Sequence, residues 1–148
     1  MKIYADNAAT TKMSKTAVNA MIPYFDEVYG NPSSLHTSGQ KAAEALYNAR
    51  ESISIILNCH PREITFTSGG SEADNQAIVS AAKIGERKGK KHIISTAFEH
   101  HAVLHTLQKL ENQGFEVELL DVGEFGLVTA EQIKNAIRED TCLVTVMY

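Results

Sequence analysis

The sequence contains no apolar run long enough to span a bilayer. Its opening, Met1-Lys2-Ile3-Tyr4-Ala5-Asp6-Asn7, lacks the apolar stretch of a secretory signal. Cysteine is scarce. Cys59 and Cys142 make neither a disulfide framework nor a metal-ligand spacing, and both read as small structural residues rather than nucleophiles. An excess of positive charge is missing too. The net charge of −4 argues against a general nucleic-acid binder. The one basic run, Arg87-Lys88-Gly89-Lys90-Lys91, is short, broken by glycine and without aromatic company, so it reads as a solvated turn. No repeat, low-complexity tract or linker is present. These absences leave a soluble globular chain with no membrane or nucleic-acid partner, and the cytoplasm as its default compartment.

What is present is a rhythm. The 148 residues, 43% of them hydrophobic, suffice for one modest domain. Val18, Met21, Ile22 and Phe25 share a helical face after the cap Ser14, and Pro23 should kink or shorten that helix. Gly30-Asn31-Pro32-Ser33-Ser34 is turn chemistry. A second helix follows, with Leu46, Ala49, Ile53, Ile56 and Leu57 expected on its buried face. Beyond Pro61 strands and helices alternate. Strands are predicted at Ile64–Thr67, His92–Thr96, Phe115–Val122 and Cys142–Tyr148. Helices are predicted at Ser71 to about Lys88, at about His100 to Asn112, and after the capping box Thr129-Ala130-Glu131-Gln132. This alternation predicts an α/β fold with a mainly parallel sheet and flanking helices. The last strand is apolar enough to be central. A central parallel strand normally leads into a covering helix, so the chain reads as part of a longer fold.

The most specific local signal is Ser68-Gly69-Gly70-Ser71 between a strand and a helix. Glycines permit close backbone approach, and the first helical N–H groups lack internal partners. With the positive end of the helix dipole, they form a natural seat for a phosphate. A plain helix cap is the competing reading. Ser71 with Asp74 fits a capping arrangement, and the carboxylates of Glu72 and Asp74 would repel a phosphate. Glu99-His100-His101 follows the next strand, with His105 beyond. His101 and His105 have a chelating i, i+4 spacing, but no third ligand is fixed by pattern, so solvated or capping roles are expected and no metal site is assigned. His100 lies beyond the carboxyl end of its strand, as the Ser68–Ser71 loop does. Ligands of parallel α/β sheets sit at that edge, where an imidazole can stack on a flat ring and carry protons.

Several stretches together resemble the NifS/IscS-type cysteine desulfurases, of the class V aminotransferase group of fold-type-I pyridoxal phosphate (PLP) enzymes. They are Tyr4-Ala5-Asp6-Asn7-Ala8-Ala9-Thr10-Thr11, Gly30-Asn31-Pro32-Ser33-Ser34 with His36, Phe66 to Asn75, and Glu99-His100 with Ala102-Val103-Leu104. Gly114-Phe115-Glu116-Val117 and Gly126-Leu127-Val128 also fit. The resemblance runs from the first residues to the last. It implies a partial PLP-dependent transferase large domain, with 1–60 as an N-terminal helical segment and 61–148 as the first half of the cofactor-binding α/β domain. It implies that Gly70 and Ser71 cradle the PLP phosphate, where the family commonly has Ala-Thr. It implies that His100 stacks on the PLP ring and assists proton transfer as a catalytic residue. Asp6–Thr11 and Asn31–His36 match regions lining the site or the subunit interface.

The reaction so implied converts L-cysteine to L-alanine and leaves sulfur as a protein-bound persulfide for Fe–S cluster or thio-cofactor assembly. The implied partners are a sulfur-acceptor protein and a second copy of the chain. The family's Schiff-base lysine directly follows a histidine, and no His-Lys pair occurs here. The acid partner of the pyridine nitrogen and the persulfide cysteine belong to later segments. The chain is therefore expected to be an N-terminal fragment of a cysteine desulfurase, inactive alone. The family's first sheet strand, at Ile64–Thr67, is separated from the next ones by strands later in the chain. Only the remaining three are expected to pair here, leaving the isolated chain poorly stable, rearranged or completed by another chain. A related class V aminotransferase, a selenocysteine lyase, or a non-catalytic binding or assembly partner are the alternative readings.

Overall fold

The computed structural model describes residues 3–148. They form two compact units, one running to Thr65 and one from Phe66.

The first unit is helical. Helix α1 (Lys15–Met21) is capped by the Ser14 hydroxyl, which accepts from the Ala17 N–H. Helix α2 (Pro23–Asp26) starts on Pro23, so the proline divides one apolar pattern into two short helices. Helix α3 (Thr37–Leu57) is capped by His36 Nδ1, which accepts from the Gly39 N–H at 3.3 Å. It ends on Asn58 in the left-handed conformation. A 3-10 turn (Pro61–Glu63) follows, closed by a capping box between His60 and Glu63. The predicted buried face of α3 is not buried. Gly39, Ala42 and Ser54 are its buried residues, whereas Ile56 is 81% exposed and Leu57 62%. The apolar pattern is real, but nothing within the unit covers it.

Gly39 shows how tightly the turn before α3 is packed. A side-chain carbon there would lie 2.4 Å from the Ser34 carbonyl oxygen and 2.7 Å from that of Asn31. Gly39→Ala is expected to destabilise this unit by about 1–3 kcal/mol. Faster hydrogen exchange at Ser34, whose N–H bonds to Asn31, would show it; unchanged exchange would contradict the packing.

The second unit is α/β. Its elements are α4 (Gly70–Glu86), β1 (His92–Thr96), α5 (His101–Glu111), β2 (Glu116–Leu120), α6 (Ala130–Ala136) and β3 (Thr141–Val144). The three strands form a parallel sheet in the order β2-β1-β3, with His92 opposite Glu116 on one side and Thr141 on the other. Strand β1 is buried throughout. Ile93 packs with Ile78 and Ala82 of α4, with Val103, Leu107 and Leu110 of α5, and with Phe115. Burying such aliphatic side chains is worth about 1.5–3 kcal/mol each.

Two strand expectations change. Ile64–Thr67 belongs to no strand, although Ile64 itself is extended, because no strand lies beside it to accept its hydrogen bonds. The last strand is at the sheet's edge, not its centre. Its ladder ends at Val144, with one further bond from the Thr145 N–H to Ile94. The capping box of α6 forms as expected between Thr129 and Gln132.

Candidate functional site

The carboxyl end of β1 leads through Ala97–Glu99 to His100, the residue capping α5. His100 Nδ1 accepts from the Ala102 N–H at 3.1 Å. An imidazole nitrogen that accepts carries no proton, so the neutral ring holds its proton on Nε2. Helix α4 opens at Gly70, with Gly69 as an extended cap that supplies no side-chain bond. Around both glycines the space a side-chain carbon would occupy is empty to 4 Å.

The competing Ser71–Asp74 cap does not form, and no side chain caps α4. Glu72 instead reaches back to the residue before Gly69, accepting from the Ser68 N–H at 2.7 Å and from the Ser68 hydroxyl at 2.5 Å. The Ser68 hydroxyl, followed by its N–H, holds the Glu72 carboxyl below the usual carboxylate range. The Glu72 charge is thus engaged with Ser68. Neither Glu72 nor Asp74 lines the space beside Ser71.

That space is a cleft of about 510 Å³ whose walls include Ser71 from α4 and His100 at the head of α5. Sequence placed these two residues at one edge of the sheet, and the structure brings them to one cavity. Gly70 stands next to Ser71 at the helix start without lining the cleft. The remaining polar wall is Asn75, His101, His105, Thr106 and Lys109. In the sequence the two histidines are marked by their chelating spacing, whereas Asn75, Thr106 and Lys109 are given no site role. Asn75 Nδ2 donates to the Ser71 carbonyl at 2.6 Å, and Asn75 Oδ1 lies in hydrogen-bond reach of the Thr106 hydroxyl. That hydroxyl is also 2.8 Å from the Ala102 carbonyl. One polar path therefore joins the first turn of α4 to the first turn of α5. The i, i+4 spacing from Ser71 to Asn75 and from Ala102 to Thr106 was the available signal.

Residues 3–148 match the family described as aminotransferase class-V. The chain belongs to that family. Its enzymes are PLP-dependent, and the cleft suits such a cofactor: unpartnered N–H groups and a hydroxyl at the start of α4, open space at both glycines, and an imidazole on the same wall. Within the family the chain is similar to cysteine desulfurases. It is 50% identical over 147 residues to cysteine desulfurase IscS of Clostridium botulinum, strain Hall, covering 99% of this chain and 37% of that protein. It is 47% identical over 146 residues to IscS of Methanosarcina thermophila, covering 99% and 36%. Among solved structures it resembles a NifS-like protein with a TM-score of 0.91 at 38% identity, covering 99% of this chain and 40% of that one. It also resembles SspA in complex with cysteine, with a TM-score of 0.86 at 38% identity, covering 97% and 41%. The chain thus spans a little over a third of the length of the curated relatives it matches. The parallel sheet with flanking helices is the corresponding part of the cysteine desulfurase fold.

Cys142 is held as a structural residue. Burial pushes the Cys142 thiol up, and its Sγ donates to the His92 carbonyl at 3.3 Å. Lys91, which precedes β1, pairs with Glu86 at 3.1 Å and lies over the Phe115 ring. Lys109 is the one lysine among the cleft's lining residues. Among the described residues no helix is long and apolar enough to cross a membrane.

Proposed function

We propose that this chain is the N-terminal part of a PLP-dependent cysteine desulfurase, which takes L-cysteine to L-alanine and passes on the sulfur as a protein-bound persulfide. The observation that carries the reading is the meeting of Ser71 and His100 in one cleft, in a chain half identical to such enzymes. Bound there, PLP would supply an electron sink for bond changes at the amino acid's α-carbon. The residues of this chain contribute binding and proton handling. The N–H groups of Gly70 and Ser71, with the Ser71 hydroxyl, would hold the phosphate at the positive end of α4. His100 would lie against the ring. Its Nδ1 is held by the Ala102 N–H, so Nε2 is the atom that holds and moves a proton. On this reading 61–148 is the first half of the cofactor domain and 1–60 the helical segment preceding it. The enzyme works in the cytoplasm as a homodimer and delivers sulfur to an acceptor protein for Fe–S cluster or thio-cofactor assembly.

The 148 residues alone are proposed to be inactive, since no lysine in them follows a histidine. Mixing the chain with PLP and reducing with borohydride should leave no lysine stoichiometrically labelled. Peptide mass mapping reads the outcome. Full labelling at one lysine, Lys109 in the cleft included, would overturn the assignment.

A further inference from the structure

Helix α5 carries two imidazoles that the proposed reaction does not use. His101 and His105 are four residues apart, both are exposed, and both line the cleft. Their ring centroids are 5.6 Å apart and the planes are inclined by 31°. Two imidazoles ligating one ion at about 2.1 Å place their ring centres roughly 5 Å apart, so a small side-chain rotation closes the pair on a metal. Neither imidazole has a hydrogen-bond partner among the described residues, so ligation breaks nothing. The His100 ring stands further off, 6.4 Å from His101 and edge-on to it, with Nδ1 already engaged.

We propose that His101 and His105 form a two-point site for a borderline divalent cation such as nickel or zinc, with water completing the coordination. The absence of a third ligand from the pattern weighed against a metal in the sequence. No group of three His, Cys, Asp or Glu side chains that could hold one occurs among the described residues. A rigid helix removes the need for a third: once one imidazole binds, the second acts at high effective concentration. Imidazole favours nickel, copper and zinc over the hard cations. Lys109, one further turn along the same wall, opposes the cation and sets the sign of one test.

The experiment titrates the untagged protein of the full reading frame at neutral pH with nickel chloride, and separately with zinc sulfate, by calorimetry. One ion per chain is expected at this site. His101→Ala and His105→Ala should each weaken binding about tenfold or more, because each removes the chelate. His36→Ala and His60→Ala should change it less than twofold, as should His100→Ala. Lys109→Gln should tighten it. Acid should displace the ion, since ligation needs the neutral imidazole. No saturable binding, binding indifferent to His101→Ala or His105→Ala, equal loss in His100→Ala, or weaker binding in Lys109→Gln would each overturn the site. None of these readouts depends on PLP or on turnover.

Discussion

His100→Ala, made in the protein expressed from the full reading frame that contains these residues, is expected to lower kcat for alanine formation from L-cysteine by ~10²-fold or more, the usual contribution of a placed acid–base group. The geometry gives the reason. His100 caps α5 with Nδ1 and keeps Nε2 for the cleft it shares with Ser71. On the proposed reading, alanine removes both the proton carrier and the flat face against the cofactor ring. It also removes the cap, which costs the helix ~1 kcal/mol. His100→Asn separates these losses, since an Asn side chain can still cap but cannot shuttle a proton. The asparagine variant should keep the exchange protection of the first turn of α5 and still lose the rate. Wild-type turnover in either variant, measured as alanine released per bound PLP, would remove His100 from the reaction.

The second large effect is expected at Gly85, which does not line the cleft. A side-chain carbon there would lie 2.2 Å from Cβ of Cys142 and 3.3 Å from the Lys90 carbonyl oxygen. The close approach lets α4 lie directly on β3. The obstacle is a backbone-attached carbon and cannot rotate away. Gly85→Ala gains ~1 kcal/mol of helix propensity and loses more by forcing α4 off the sheet. A net cost of about 1–3 kcal/mol is expected, which accelerates amide exchange in β3 and late α4 by ~5–150-fold. Cys142→Ala should not restore protection, because the clash is with Cβ. Unchanged exchange in Gly85→Ala would show that the helix does not seat on the strand as described.

Much of this was readable from sequence, for identifiable reasons. His92–Thr96 is a short run around Ile93 and Ile94 that follows a glycine-broken basic turn, and this suffices to mark a strand, though not its central place. The caps at Ser14 and Thr129 were equally plain, since both use local side-chain bonds. The failures concern what lies beyond local range. The apolar stripe of α3 marks a face meant for burial, yet a stripe does not say which element covers it, and within its unit none does. Ile64–Thr67 alternates like a strand but forms none, because a ladder needs a neighbour. Cys142–Tyr148 is apolar enough for a sheet centre, yet β1 takes that place between β2 and β3.

The cleft divides in the same way. Ser71 and His100 stood out because each follows a turn at the same edge of the sheet. Asn75, Thr106 and Lys109 lie within helices, and their shared wall becomes visible only once α4 and α5 are packed together. The competing cap reading fails for a subtler reason. With the helix starting at Gly70, Ser71 lies inside its first turn, no side chain caps the helix, and Glu72 reaches back to Ser68. That arrangement occupies Glu72 with Ser68 and leaves the wall beside Ser71 free of carboxylates.

The most direct test of the proposed function is the product formed from L-cysteine by the protein of the full reading frame, reconstituted with PLP and given a thiol acceptor. L-alanine and transferable sulfur should appear in equal amounts, with no amino group passed to an added 2-oxo acid. Amino transfer to the 2-oxo acid without sulfur release, or no product while PLP is stoichiometrically bound, would contradict the desulfurase reading.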